Sequence, residues 1–233
     1  SAETSAAYRE ILMEKDGTVR PEFQTAYVLP LYYQMLSAQD KKKAAAHLVR
    51  LIRDNDYHIG TGFPGTPFVL FALADNGYGE DACRMLLTDT CPSWLYEMKV
   101  GGTTIWERWD ALREDGTCNT GADDGTGGMV SFNHYASGAV GDFLYRRIAG
   151  IEALEGGYKS FQIEPLMGGG ITWAKGRVIT AYGPVSSEWE LKNGIFTITV
   201  EVPVGTVCYL TMPSGTKRTL GSGKYTMSEG KQK

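Results

Sequence analysis

Residues Gly101-Gly102-Thr103-Thr104-Ile105-Trp106-Glu107-Arg108-Trp109-Asp110 place a carboxylate between two tryptophans. The apolar faces of a pyranose stack on flat rings, and a carboxylate beside them can move a proton, so this composition suits a saccharide site. Trp94 and Tyr96 lie just upstream and add to the aromatic frame. A structural reading stands beside the chemical one. Thr104 followed three residues later by Glu107 fits a capping box, in which Glu107 bonds back to the Thr104 N–H at the start of a helix. A helix N-terminus there would favour the ionised carboxylate, the form a general base needs.

Other chemistries find less support. The chain has 233 residues, enough for one large domain or two small ones, with 42% hydrophobic and 21% charged residues. A net charge of −4 without a block of like charge argues against a nucleic-acid partner. No apolar run approaches the roughly 20 residues that span a bilayer. Cys83, Cys91, Cys118 and Cys208 form no C-x-x-C pair and no metal spacing with His47, His58 or His134, so buried thiols are expected, and neither metal nor cofactor. Localisation stays open. The chain opens on Ser1-Ala2 rather than Met, and it reads as part of a longer enzyme.

The elements that must position Glu107 are helical. Apolar spacing predicts helices over 3–15, 22–36 (with Pro30 inside), 38–54 (capped by Ser37), 67–74 (opened by Pro67), 79–88 and a short turn after Ser93. His58 to Thr66 is a glycine-rich connection. Residues 113–130 form a long Gly/Asp-rich loop whose Asp115, Asp123 and Asp124 are rival carboxylates without calcium-loop spacing; solvated loop residues are expected there. A helix over 131–148 follows, with His134 in its first turn and Asn133 available as a cap.

At Gly150 the period changes from helical to alternating. Ile171–Tyr182 reads as a hairpin turning at Lys175-Gly176, and Ser187–Val202 as a hairpin turning at Asn193-Gly194. Phe196, Ile198, Val200 and Val202 should face a core, and Val207–Met212 adds a strand. Trp173 and Trp189 read as core or interface residues, and the end from Glu229 as frayed. The expected domains are 1–150, helical, and 151–233, a small antiparallel β-sandwich.

Five stretches stand out together: Thr61-Gly62-Phe63-Pro64-Gly65-Thr66-Pro67, Cys91-Pro92-Ser93-Trp94-Leu95-Tyr96, the Gly101–Asp110 run, Ser131-Phe132-Asn133-His134-Tyr135-Ala136-Ser137-Gly138-Ala139-Val140 and Tyr145-Arg146-Arg147-Ile148-Ala149-Gly150-Ile151. In this order they are similar to the closing motifs of bacterial α-L-rhamnosidases, glycoside hydrolase family 78. The resemblance runs from about residue 20 to the C-terminus and keeps the family's motif order. It implies an α+β multidomain chain: part of an (α/α)6 toroid followed by a C-terminal β-sandwich. With about seven helices, roughly half of a six-hairpin toroid would be present, and its exposed faces would meet the missing N-terminal half or a second copy of the chain. It further implies inverting release of terminal α-L-rhamnose. Glu107 would be the general base, and Trp94, Trp106 and Trp109 would wall the sugar. His134 and Asn133 would meet its hydroxyls. The family's general acid lies in an acidic stretch with no match here, so the chain alone is expected to be inactive. Two other classes stay open: a non-catalytic carbohydrate-binding or structural module on the same scaffold, and a sugar phosphorylase of similar architecture.

Overall fold

The computed structural model describes residues 2–119, 121 and 130–230. They fall into two compact units, Ser1–Val140 and Gly141–Lys233. Asp123 and Asp124 lie outside the described residues.

The first unit is helical: α1 Ala2–Leu12, α2 Gln24–Tyr32, α3 Ala38–Asp54, α4 Val69–Ala74, α5 Gly79–Leu86, α6 Trp94–Lys99 and α7 Tyr135–Gly138. Helix α3 starts where Ser37 Oγ accepts the Asp40 N–H at 3.2 Å, satisfying one of the N–H groups that a helix start leaves orphaned. It buries Ala44, Ala45, Leu48, Val49 and Ile52, a stripe of the helical period. The stretch Val69–Leu73 is apolar on every side and is buried on every side. It packs against α2, α3 and α5. By contrast α1 buries no residue, and Ile11 is 75% exposed.

In the second unit, α8 Val140–Phe143 straddles the division and continues as a π-helical turn, Leu144–Ile148. Two four-stranded sheets follow. One has the order β1 (Ile151–Ala153), β2 (Ser160–Ile163), β6 (Val207–Thr211), β7 (Lys217–Leu220); the other β3 (Trp173–Thr180), β4 (Gly183–Lys192), β5 (Ile195–Val202), β8 (Gly223–Gly230). Their inner faces meet in one core, with Ile151, Phe161, Ile163, Cys208 and Leu210 from the first sheet and Val185, Trp189, Phe196, Ile198, Val200 and Val202 from the second. All pairings are antiparallel except β2 with β6. Asn193 (φ 52°) and Gly194 (φ 76°) make the β4–β5 turn, the two positive φ values that a type I′ turn demands.

Several expectations are corrected. Lys175-Gly176 is no turn: β3 runs straight through it, and the chain reverses at 181–182. A Cβ on Gly176 would lie 2.7 Å from Ala149 Cβ, so the glycine serves a close approach, not a reversal. Trp189 is the core residue expected, buried and donating from Nε1 to the Ile148 carbonyl at 2.8 Å. Trp173 is 67% exposed, because it shares its outward parity on β3 with Lys175 and Arg177. Glu229 is not frayed. It pairs with Phe196 in β8 and accepts the Ser214 N–H at 2.7 Å. Of the four free cysteines, Cys83 and Cys208 are buried, with thiols pushed up by burial to about 11 and about 12, whereas Cys91 and Cys118 are exposed. Among the described residues no helix is long and apolar enough to cross a membrane.

Candidate active site

Glu107 does not open a helix. Residues 101–110 are irregular, and the capping-box partners face elsewhere. The Thr104 hydroxyl donates to the Phe132 carbonyl, and Glu107 Oε2 accepts the Ser131 N–H at 2.9 Å. The main chain repeats this pairing: Glu107 N–H donates to Ser131 O (2.9 Å) and His134 N–H to Ile105 O (2.8 Å). Segments 104–107 and 131–134 therefore lie side by side, and the helix expected from 131 starts only at Tyr135. Ser131 and Phe132 are engaged by segment 104–107, and Asn133 is tied back to Ser131 Oγ through its own N–H and carbonyl. The proposed benefit of a helix N-terminus for the Glu107 carboxylate falls away with that helix. A main-chain N–H from Ser131 takes its place, and a charge-assisted bond of this kind holds an ionised carboxylate in one orientation.

His134, not Asn133, caps α7. Its Nδ1 accepts the Ala136 N–H at 3.3 Å, which leaves the ring proton on Nε2, free to be offered to a hydroxyl. The ring stacks on Phe63 at 4.3 Å and on Tyr135 at 5.3 Å. Phe63 is 45% and Tyr135 83% exposed. Asn133 is exposed beside them. The loop carrying Phe63 is tied to the first residue of α2: Gly60 N–H donates to Gln24 Oε1 (2.8 Å), and Gln24 Nε2 to the His58 carbonyl (3.2 Å). Sequence reading left Phe63 and Tyr135 out of the site. The available signal was a large aromatic residue inside a Thr-Gly-Phe-Pro-Gly loop, where no core helix or strand could claim it.

The tryptophans divide. Trp94 and Trp106 are 5% and 1% exposed, so they brace the site from beneath and do not face solvent. Trp109 is half-buried and meets Trp94 edge-on at 5.5 Å. Asp110 is engaged by Arg108 Nε at 3.3 Å and Asn119 Nδ2 at 2.6 Å. Asp115 closes a turn, accepting the Thr117 hydroxyl at 2.6 Å and the Thr117 N–H at 2.9 Å. Those two bonds hold its carboxyl below the usual range.

Helix α6 stands behind all of this. Ser93 caps it, accepting the Tyr96 N–H at 3.2 Å. Trp94 Nε1 donates to the Ser137 carbonyl (2.9 Å), the Tyr96 hydroxyl donates to the Leu112 carbonyl (3.0 Å), and Glu97 Oε2 accepts the Trp106 N–H (3.2 Å). Glu97 is 1% exposed, and burial pushes its carboxyl up to about 8 against the opposing Trp106 bond. Among the described residues no group of three or more His, Cys, Asp and Glu could hold a metal ion.

Residues 1–148 match the family model described as bacterial alpha-L-rhamnosidase 6 hairpin glycosidase domain, and residues 150–227 match bacterial alpha-L-rhamnosidase C-terminal domain. An alpha-L-rhamnosidase of Streptomyces avermitilis is 40% identical over 208 residues, covering 89% of this chain and 20% of its own length. One from Formosa agariphila is 36% identical over 219 residues, covering 93% and 23%. The crystal structure of native alfa-L-rhamnosidase from Aspergillus terreus superimposes with a TM-score of 0.91 at 36% identity, over 97% of this chain and 26% of that one. The Streptomyces avermitilis alpha-L-rhamnosidase complexed with L-rhamnose superimposes with a TM-score of 0.89 at 36% identity, over 97% and 23%. The chain thus spans about a fifth to a quarter of the length of these relatives.

Proposed function

Because the chain belongs to the bacterial α-L-rhamnosidases, we propose that it is the C-terminal part of an inverting glycoside hydrolase releasing terminal α-L-rhamnose. Residues 1–150 supply half of the catalytic toroid and residues 151–233 the β-sandwich domain. The observation that carries this reading is the Glu107 carboxylate, oriented by the Ser131 N–H on the same two-segment ladder that presents His134. An inverting enzyme needs a base that activates water on the face of the sugar opposite the leaving group, with the acid roughly 6.5–9.5 Å away. Glu107 is that base. Its partner acid belongs to the part of the enzyme outside this chain. The His134 Nε2–H and the Asn133 amide meet sugar hydroxyls, and Trp109 walls the sugar. Trp94 and Trp106 contribute by holding Trp109 and Glu107 in place.

The test is turnover of p-nitrophenyl α-L-rhamnoside by this chain and by the full-length enzyme, each with and without Glu107→Gln, with the first-formed anomer of rhamnose read by proton NMR. The full-length enzyme is expected to release the β-anomer and to lose about 10²- to 10⁴-fold in kcat on Glu107→Gln. The chain alone is expected to be inactive. Retention of the α-anomer would sink the inverting mechanism. A full-length enzyme indifferent to Glu107→Gln would sink the base assignment, and turnover by the isolated chain would sink its dependence on an external acid.

A further inference from the structure

We propose that Glu97 is a positioning residue for Glu107: its buried carboxyl fixes the main chain at Trp106, and so sets where the base stands relative to the sugar. This rests on the reading of Glu107 as the base.

Two hydrogen bonds converge on Glu97, and a close approach between the residues they hold lies beside them. Its side-chain Oε2 accepts the N–H of Trp106, the residue immediately before Glu107, at 3.2 Å. Its main-chain carbonyl accepts the Gly102 N–H at 2.7 Å. The Trp106 indole covers Gly102 so closely that a Cβ there would lie 2.6 Å from ring atom Cζ2 and 2.7 Å from the Glu97 carbonyl oxygen. The segment 102–106 is thereby held at both ends and pressed from above, with Glu97 as the common point. The far side of Glu107 is held separately by Ser131.

A hydrophobic residue would fill this volume at lower cost if packing were the only requirement. The Oε1 atom of Glu97 is buried and has no hydrogen-bond partner among the described residues. An unpartnered buried polar atom is destabilising. What the carboxyl supplies in return is an acceptor at one defined point, the amide preceding the base. Because the carboxyl keeps its proton near neutral pH, glutamine is its nearest match: one carbonyl oxygen for the Trp106 N–H and an NH2 donor group at the other position. Methionine reproduces the volume without a well-placed acceptor.

The experiment compares Glu97→Gln and Glu97→Met in the full-length enzyme, with thermal melts confirming that both fold. Two readouts are taken: kcat and KM on p-nitrophenyl α-L-rhamnoside, and amide hydrogen exchange of the peptide covering 100–108. Glu97→Met is expected to lower kcat about ten- to a hundredfold, with KM within about twofold, since a small misplacement of a catalytic group is that costly. It should also speed exchange at Trp106 and Glu107. Glu97→Gln should restore both. A methionine variant as active and as protected as the glutamine variant would overturn the proposal, because volume alone would then suffice. So would equal losses in both variants. If Glu107→Gln leaves turnover intact, the base assignment fails by itself, and the exchange comparison still decides whether Glu97 holds the segment.

Discussion

Glu97 in the helical unit and Glu152 in the β unit are both carboxyls withdrawn from water, and their surroundings are opposite. Glu152 receives Arg146 Nε at 2.9 Å, Arg147 Nη1 at 2.8 Å and Gln162 Nε2 at 2.9 Å. Burial raises its proton affinity, but the bonds and charges of the two arginines outweigh this and lower its pKa. Glu97 accepts one amide N–H, its other oxygen has no hydrogen-bond partner among the described residues, and burial pushes its carboxyl up to about 8. The first arrangement is a joint in which positive charge ties the π-helical turn to β1, and the Gln162 amide adds β2. The second holds one point and leaves the rest unsatisfied. A fully partnered carboxyl marks architecture. A poorly partnered one, next to the proposed base, marks placement for chemistry, where proteins tolerate local cost.

The pH dependence of stability should separate the two most widely. Between the ordinary glutamate value of 4.5 and about 8, folded Glu97 binds a proton that the unfolded chain does not. Stability should therefore fall as pH rises across that window, by at most about 1.4 kcal/mol per pH unit. For Glu152 the sign is reversed. Its contribution is present above the ordinary value and lost as pH falls through its lowered one. Urea titrations from acid to alkaline pH should show Glu97→Gln flattening the fall between about 4.5 and about 8, and Glu152→Gln flattening the rise at acid pH. A flat wild-type curve above pH 5 would remove the distinction.

Glu152→Ala should cost about 2 to 3 kcal/mol, since it removes the carboxylate that Arg146, Arg147 and Gln162 share, although Arg146 keeps its pairing with Asp142; a loss below about 0.5 kcal/mol in chemical denaturation would reduce the cluster to a surface ion pair. Gly102→Ala should cost about 2 kcal/mol through overpacking against the Trp106 ring and the Glu97 carbonyl. It should lower turnover of the full-length enzyme as well, and a change in stability without one in kcat would uncouple this contact from the base. Ser37→Ala sets the scale for an ordinary exposed cap, with about 1 kcal/mol expected in thermal melts and no effect on turnover.

What was legible in the sequence was local. Ser37 and Ser93 cap the helices that follow them, and Asn193-Gly194 turns the hairpin it names, because the partners lie within a few residues. The alternation at Phe196, Ile198, Val200 and Val202 reports a core face through period alone. The misreadings share a long-range cause. Thr104 and Glu107 spell a capping box, yet their bonds go to Phe132 and Ser131, across the loop. Gly176 looks like a turn, yet answers to Ala149. Glu97 sits in Trp-Leu-Tyr-Glu-Met-Lys, where nothing local distinguishes it from a solvated helix position, and its amide partner arrives only with the return of the chain at Trp106. The family resemblance pointed to Glu107, but the amide that orients it became visible only in three dimensions.

The parallel pairing of β2 with β6 also bears on how the second unit assembles. The reversals between β3, β4 and β5 are short, so this meander can form from neighbouring residues soon after they are available. The pairing of Phe161 with Cys208 must instead close a loop that contains the whole meander. The meander should therefore form early, and the sheet built on β2 should form late. A nascent chain that has not yet reached Val207 would hold β2 paired with β1 alone, its other edge open until β6, the sixth strand of the unit, has been made.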